Sequence, residues 1–166
     1  MLTVRQDRLI FGCIPEILTV HGKLLAELDA LVSSSPREES KELIVGDVLL
    51  AWIPTLNVYE KYAKTVDSAR VLLERLFATD STFYEIVEQC KLSTVYKGYR
   101  GLYSLLVTPL QRLMRYVILT KALLKQTSPE HADYEPLSHA LESIGVMVDH
   151  INKVHCLICV TELSGL

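Results

Sequence analysis

Apolar residues return at steps of three and four along most of the chain, the period of a helix with one buried face. In RLIFGCIPEILTVHGKLLAELDALV, residues 8–32, Leu9, Ile10, Ile14, Ile17, Leu18, Leu24, Leu25, Leu28 and Leu31 keep that step. Asp7 is placed to cap its start, and Pro15 suits the first turn of a second segment. The polar run SSSPREES, residues 33–40, reads as a solvated connection. ELIVGDVLLAWI then predicts a short apolar helix, and Pro54 ends it or starts the next. Tyr59, Tyr62, Ala69, Leu72, Leu73 and Leu76 carry the pattern onward, after which Asp80 or Ser81 can cap STFYEIVEQCKL. STVYKGYRGLY, with two nearby glycines, predicts a turn, and QTSPEHADYEP, with two prolines, a loop. The last helix presents Leu137, Leu141, Ile144, Val148 and Ile151. No strand alternation and no repeat interrupts this series, so the predicted fold is all-α, an elongated bundle.

One helix stands out. TPLQRLMRYVILTKALLKQT, residues 108–127, is strongly helical yet carries much fixed polarity. Leu102, Leu105, Leu106, Pro109, Leu110, Leu113, Tyr116, Val117, Leu123 and Leu124 share a broad arc that predicts core. Thr108, Gln111, Arg112 and Arg115 lie opposite it, and Leu119 and Ala122 continue their line. A mixed stripe of this kind suits a protein partner. Lys121 and Lys125 form a second basic ridge. Thr108 with Gln111 also fits a capping box with Pro109 at the first helical position. If instead the helix runs through Pro109, it loses a backbone bond at a cost of about 3 kcal/mol or bends. The sequence leaves cap and kink both open, and Arg112 and Arg115 also fit an ordinary solvated face.

Composition narrows the setting. A chain of 166 residues, 49% apolar, is long enough for one globular domain. Lys and Arg total 17 against 20 Asp and Glu, which lacks the basic excess that nucleic acid demands. No run of about 18 apolar residues lacks a charge, which argues against a membrane span. Four cysteines and no signal-peptide core imply a cytoplasmic protein without a disulfide framework. Cys156 and Cys159 beside His155 invite a metal reading, but no second cysteine pair supports it and apolar packing is favoured. Cys13 and Cys90 read as buried cysteines, Trp52 as packing, and His21 and His150 as histidines that pack or hydrogen-bond within the bundle. His131 and His139 show no metal spacing, and no phosphate loop is present, so neither cofactor nor direct nucleotide binding is expected.

The segment LLVTPLQRLMRYVILTKALLKQT resembles the most diagnostic part of the Dbl-homology domain of Rho-family guanine-nucleotide exchange factors. Leu105, Leu106, Pro109, Gln111, Arg112, Arg115, Tyr116, Leu119, Leu123, Leu124, Lys125 and Thr127 carry the match. IFGCIPEILTVHGKLLAEL is similar to the family's second conserved block and VGDVLLAWIPTLNVYEKYAKTVDSA to its middle, so the resemblance runs from about Leu9 to Asn152. It implies an elongated helical bundle with this signature helix at its centre. It also implies a non-covalent activity: binding a Rho-family small GTPase, remodelling its switch regions and magnesium site, and so releasing GDP. The implied contact surface is Thr108, Gln111, Arg112, Arg115, Lys121 and Lys125 with the stretch from Gly145 to Asn152, including Asp149.

Departures from the family pattern are equally specific. The family's first helix carries a glutamate that contacts a GTPase switch, and the sequence starts just before the second block. The expected layout is therefore a Dbl-homology domain over 1–160 without that helix, with apolar surface exposed around Leu119 and Ala122, and a tail at 161–166. A basic residue usually precedes the signature proline, where Thr108 stands, and an Asn common on the last helix aligns with Gly145. No pleckstrin-homology domain is expected after TELSGL, so membrane association would come through other segments or partners. The alternative reading is a Dbl-like module that holds a GTPase or docks another protein without accelerating exchange.

Overall fold

Thr3, not Asp7, starts the first helix. In the computed structural model of the chain, which describes residues 2–34, 43–91 and 101–163 and side chains as far as Val154, Thr3 and Gln6 close a reciprocal capping box. Asp7 lies inside the first turn of α1, Val4–Phe11, where a carboxylate suits the helix dipole. α2 spans Ile14–Ser33 with Pro15 in its first turn, as the sequence predicts. α3, Val45–Trp52, passes through a 3-10 turn holding Pro54, Ile53–Asn57, into α4, Val58–Thr79. α5, Ser81–Lys91, is capped by Asp80, whose Oδ1 accepts from the Phe83 N–H at 2.9 Å. α6, Leu102–Gln126, and α7, Tyr134–Leu163, are the longest elements, and all described regular structure is helical. Pro136, expected in a loop, lies in the first turn of α7, where its missing N–H costs nothing.

The core runs along α4 and α7, with Leu56, Tyr59, Ala63, Leu137, Ala140 and Ile144 fully enclosed. α3, α4 and α6 all pack on α7, which therefore acts as the spine. The predicted α7 stripe holds at Leu137, Ile144, Val148 and Ile151, while Leu141 is half-buried and Ala140 takes the deeper position. All six apolar residues predicted for α4 are buried.

The closest crossing is between α3 and α7. The α3 N-terminus has no cap of its own, and Asp133, buried in the α6–α7 loop, supplies one. Its Oδ2 accepts from the Val45 N–H at 3.0 Å and its Oδ1 from the Gly46 N–H at 2.7 Å. A Cβ on Gly46 would lie 2.5 Å from the backbone of Pro136 and Leu137, so only glycine permits this approach.

Some expectations change. Cys13 is buried as predicted, but Cys90 is exposed, because α5 buries only Phe83 and Val87. On α2, Leu18, Leu25 and Val32 are exposed although the first two share the apolar spacing. They lie seven residues apart, on one line of the helix. This line explains why Val4–Ser33 contains a window apolar enough to cross a membrane, 22% of it buried, which the charge criterion had excluded. The opposite side of α2 packs on α3 and α4, as a bundle helix does. The connection at 35–40, the turn at 93–100 and the side chains of His155, Cys156 and Cys159 fall outside the described residues.

Candidate protein-binding site

Pro109 sits inside α6, which settles the alternative between cap and kink in favour of a continuous helix. A proline there leaves the carbonyl of Leu105, four residues earlier, without its usual N–H. The Thr108 hydroxyl takes that place, donating to Leu105 O at 2.5 Å and lying 3.2 Å from Ser104 O. At the next residue, the buried Tyr62 hydroxyl of α4 donates to the Leu106 carbonyl. Burial also pushes the Tyr62 phenol well above its ordinary value, so it stays a donor. The two hydroxyls stabilise a helix that propensity alone would interrupt.

Only Leu106, Leu113 and Thr120 of α6 are buried. The predicted core arc is narrower than expected, since Leu123 is exposed, and Thr120 occupies the core line instead. Away from that line, Gln111, Arg112 and Arg115 are exposed on one arc together with Ile118 and Leu119, while Met114, Lys121 and Lys125 are exposed along the other flank of the helix. The polar members were legible in the sequence. Met114 and Ile118 were missed, although their helical positions, roughly 100° and 140° from the buried line, were a signal that could have found them.

Toward α2, this arc forms the wall of a cleft of about 710 Å³, lined by Ile14, Leu18 and His21 on one side and Pro109, Gln111, Arg112 and Arg115 on the other. His21 and Tyr59 line its floor, and Tyr116 and Trp52 pack behind them. His21 Nε2 lies 2.6 Å from the Tyr59 hydroxyl and Nδ1 lies 2.9 Å from the Tyr116 hydroxyl. The His21 and Tyr116 rings stack with centroids 5.5 Å apart, and Trp52 packs 4.8 Å from Tyr116. Arg112 donates through Nε to the Tyr116 hydroxyl at 3.3 Å and lies 5.5 Å over the same ring. Burial, then the Arg112 charge, lowers the His21 pKa, so the imidazole is neutral near pH 7. The sequence predicted a packed or hydrogen-bonded His21 but gave no sign of its partners, which lie 38 and 95 residues away. His150, expected within the bundle, is instead exposed, and its Nε2 lies 3.5 Å from Glu60 at the surface.

Toward α7, the other flank meets Asn152, whose Nδ2 donates to Met114 Sδ at 3.6 Å. Asp149 and Asn152 are exposed, and so is Val146 between them and Gly145. Gly145 has open space around its Cβ position, so no packing demand explains the missing side chain. The structure thus places Gln111, Arg112 and Arg115 along the cleft and Asn152 against Met114, leaves Lys121 and Lys125 apart on the exposed flank, and turns the Thr108 hydroxyl back into its own helix. Among the described residues, no group of His, Cys, Asp and Glu gathers to hold a metal.

Fold and site together define an all-α bundle whose exposed chemistry, a mixed basic and apolar helix face beside a cleft, is suited to holding another protein. The RhoGEF domain matches residues 1–152, and the chain belongs to that family. It is 28% identical over 152 residues to Rho guanine nucleotide exchange factor 3 of Gallus gallus, covering 92% of this chain and 28% of that protein. It is 33% identical over 112 residues to Rac guanine nucleotide exchange factor B of Dictyostelium discoideum, covering 67% of this chain and 9% of that one. The chain therefore spans only a small part of these relatives. Among solved structures, the Vav1 exchange factor superposes with a TM-score of 0.80 at 25% identity, over 93% of this chain and 40% of that one. The fold also matches the DH/PH domains of human ARHGEF11 in a complex with human RhoA, at a TM-score of 0.78 and 18% identity, over 93% of this chain and 44% of that one.

Proposed function

We propose that this chain binds a Rho-family small GTPase in the cytoplasm through the exposed arc of α6 and the adjoining face of α7, and promotes GDP release by remodelling the GTPase switch and magnesium site. The observation that carries the reading is the α6 face itself: Gln111, Arg112 and Arg115 interleave with Met114, Ile118 and Leu119, all exposed while the other side of the helix packs on the core. The names of the relatives, exchange factors for Rho and Rac, supply the partner class. Exchange of this kind needs no bond to be made by the protein. Preferential binding of the nucleotide-free GTPase weakens its hold on nucleotide by linkage. Neither a cofactor nor nucleotide bound to this chain has a part in it.

A second reading rests on Thr108. Its hydroxyl is committed to Leu105 O and Ser104 O, and Gly145 offers no side chain, so two positions of the face contribute little. On this reading the chain holds a GTPase without accelerating exchange. Release of a fluorescent GDP analogue from a panel of Rho-, Rac- and Ras-type GTPases, with the chain at micromolar concentration, separates the two. Selective acceleration for a Rho-family member is expected. Binding without acceleration, restored by Thr108→Lys with Gly145→Asn, would establish the second reading, and no binding at all would reject both.

A further inference from the structure

The cleft floor holds a charge-neutral histidine that the contact surface itself does not use. The Tyr59 ring is fully buried, and the His21 Nε2 at 2.6 Å is the hydroxyl partner that the structure gives it. A buried O–H needs an acceptor, so the tyrosine donates and Nε2 carries no proton. The imidazole proton is then on Nδ1 and donates to the Tyr116 hydroxyl at 2.9 Å. That oxygen also accepts from Arg112 Nε at 3.3 Å, so its two lone pairs are used by His21 and Arg112. Tyr116 is half-buried, so its own proton does not compete for these two donors' positions.

We propose that His21 is a positioning residue: as the neutral Nδ1–H tautomer it fixes Tyr116, and through Tyr116 the Arg112 guanidinium, on the partner-binding arc, so that partner binding weakens in mildly acidic solution. Protonation would add a proton at Nε2, force the Tyr59 hydroxyl to accept, and leave its own proton buried without an acceptor. It would also set an imidazolium and a guanidinium on one tyrosine oxygen, which drives Arg112 away. The groups facing His21 are Tyr59 from α4, Tyr116 and Arg112 from α6 with Arg115 farther along the cleft, and the non-titrating Trp52 from α3. No carboxylate lines the cleft among the described residues to offset the added charge. The direction of the His21 shift agrees with this arrangement.

The inference rests on the GTPase-binding reading for its consequence but not for its geometry, and the test treats them separately. Nitrogen NMR of the full chain should show His21 protonated at Nδ1 near pH 7, and Tyr116→Phe should speed solvent exchange of the Arg112 Nε–H. The Nε2–H tautomer, or an Arg112 signal indifferent to Tyr116→Phe, overturns the proposal without reference to any GTPase. With a nucleotide-free Rho-family GTPase as probe, Tyr116→Phe should raise Kd about two- to tenfold and have no further effect in an Arg112→Ala background. His21→Asn keeps a donor near the Nδ1 position, cannot be protonated and leaves Tyr59 without its Nε2 acceptor, so it should weaken binding at neutral pH less than His21→Ala does and flatten the pH profile below about pH 6.5. Additive effects of Tyr116→Phe and Arg112→Ala, or an unchanged pH profile in His21→Asn, overturn it. Absence of GTPase binding with the NMR signature intact rejects the exchange reading and leaves the positioning of Arg112 established.

Discussion

Replacing Thr108 with valine should destabilise the protein only while Pro109 is present. The change keeps the side-chain volume and removes the hydroxyl that donates to Leu105 O at 2.5 Å, the carbonyl for which Pro109 offers no N–H. Leu105 is half-buried, so water replaces part of what is lost and the cost should be about 1 kcal/mol. Pro109→Ala restores the backbone donor and removes the ring clash, so the same Thr108→Val change in that background should cost little. Tyr62→Phe provides an internal standard. Its hydroxyl donates to Leu106 O where both residues are buried, water has no access, and the loss should reach about 2 kcal/mol. Urea unfolding of the four proteins in the Thr108 and Pro109 cycle measures the coupling directly. A valine penalty of equal size with proline and with alanine at 109 would refute the substitution of hydroxyl for amide. So would a Tyr62→Phe penalty smaller than that of Thr108→Val.

Three other outcomes follow from the same structure. Gly46→Ala, whose Cβ would lie 2.5 Å from the Pro136 and Leu137 backbone, should cost about 3 kcal/mol in unfolding, and Asp133→Ala, which uncaps Val45 and Gly46, about 2 kcal/mol. Ile118→Asp and Arg115→Glu change exposed residues of the α6 arc, so each should abolish or strongly reduce GTPase binding in a pull-down while leaving the thermal midpoint within about 2 °C. Because the folded His21 pKa lies below its unfolded value of about 6.5, the unfolded chain binds the proton first as pH falls. The stabilisation from neutral His21 is therefore complete above that value and is lost as pH drops toward the folded pKa. The thermal midpoint should fall less on acidification in His21→Asn than in the parent.

The helices were legible because each has a local cause in sequence: the step of three and four, Pro15 and Pro54 near helix starts, and Asp80 as a cap. What the sequence hid depends on neighbours distant along the chain. Asp133 is one acidic residue in a polar loop until the fold brings the bare end of α3 against it, 87 residues away from Gly46. Thr108 and Gln111 match a capping box perfectly well, and only the continuation of α6 back to Leu102 turns the same threonine into a donor for its own helix. The candidate face divided in the same way. Arg112 and Arg115 announced themselves by charge, whereas Met114 and Ile118 are apolar, and only their helical position away from the buried line marks them as exposed.

The residues of the α6 face are not equivalent, and their differences follow from what holds them. Arg112 is restrained at its head by Tyr116, and Asn152 by Met114, so each meets a partner with part of its ordering cost already met by the fold. Lys121 and Lys125 are exposed and have no ion pair among the described residues. Charges of the second kind steer an approaching partner and lose force as salt rises. Charges of the first kind govern how long it stays. Loss of Lys121 should therefore slow association at low salt, whereas loss of Arg112 should hasten dissociation at any salt. That contrast places the His21 network with the residues that hold the partner rather than those that attract it.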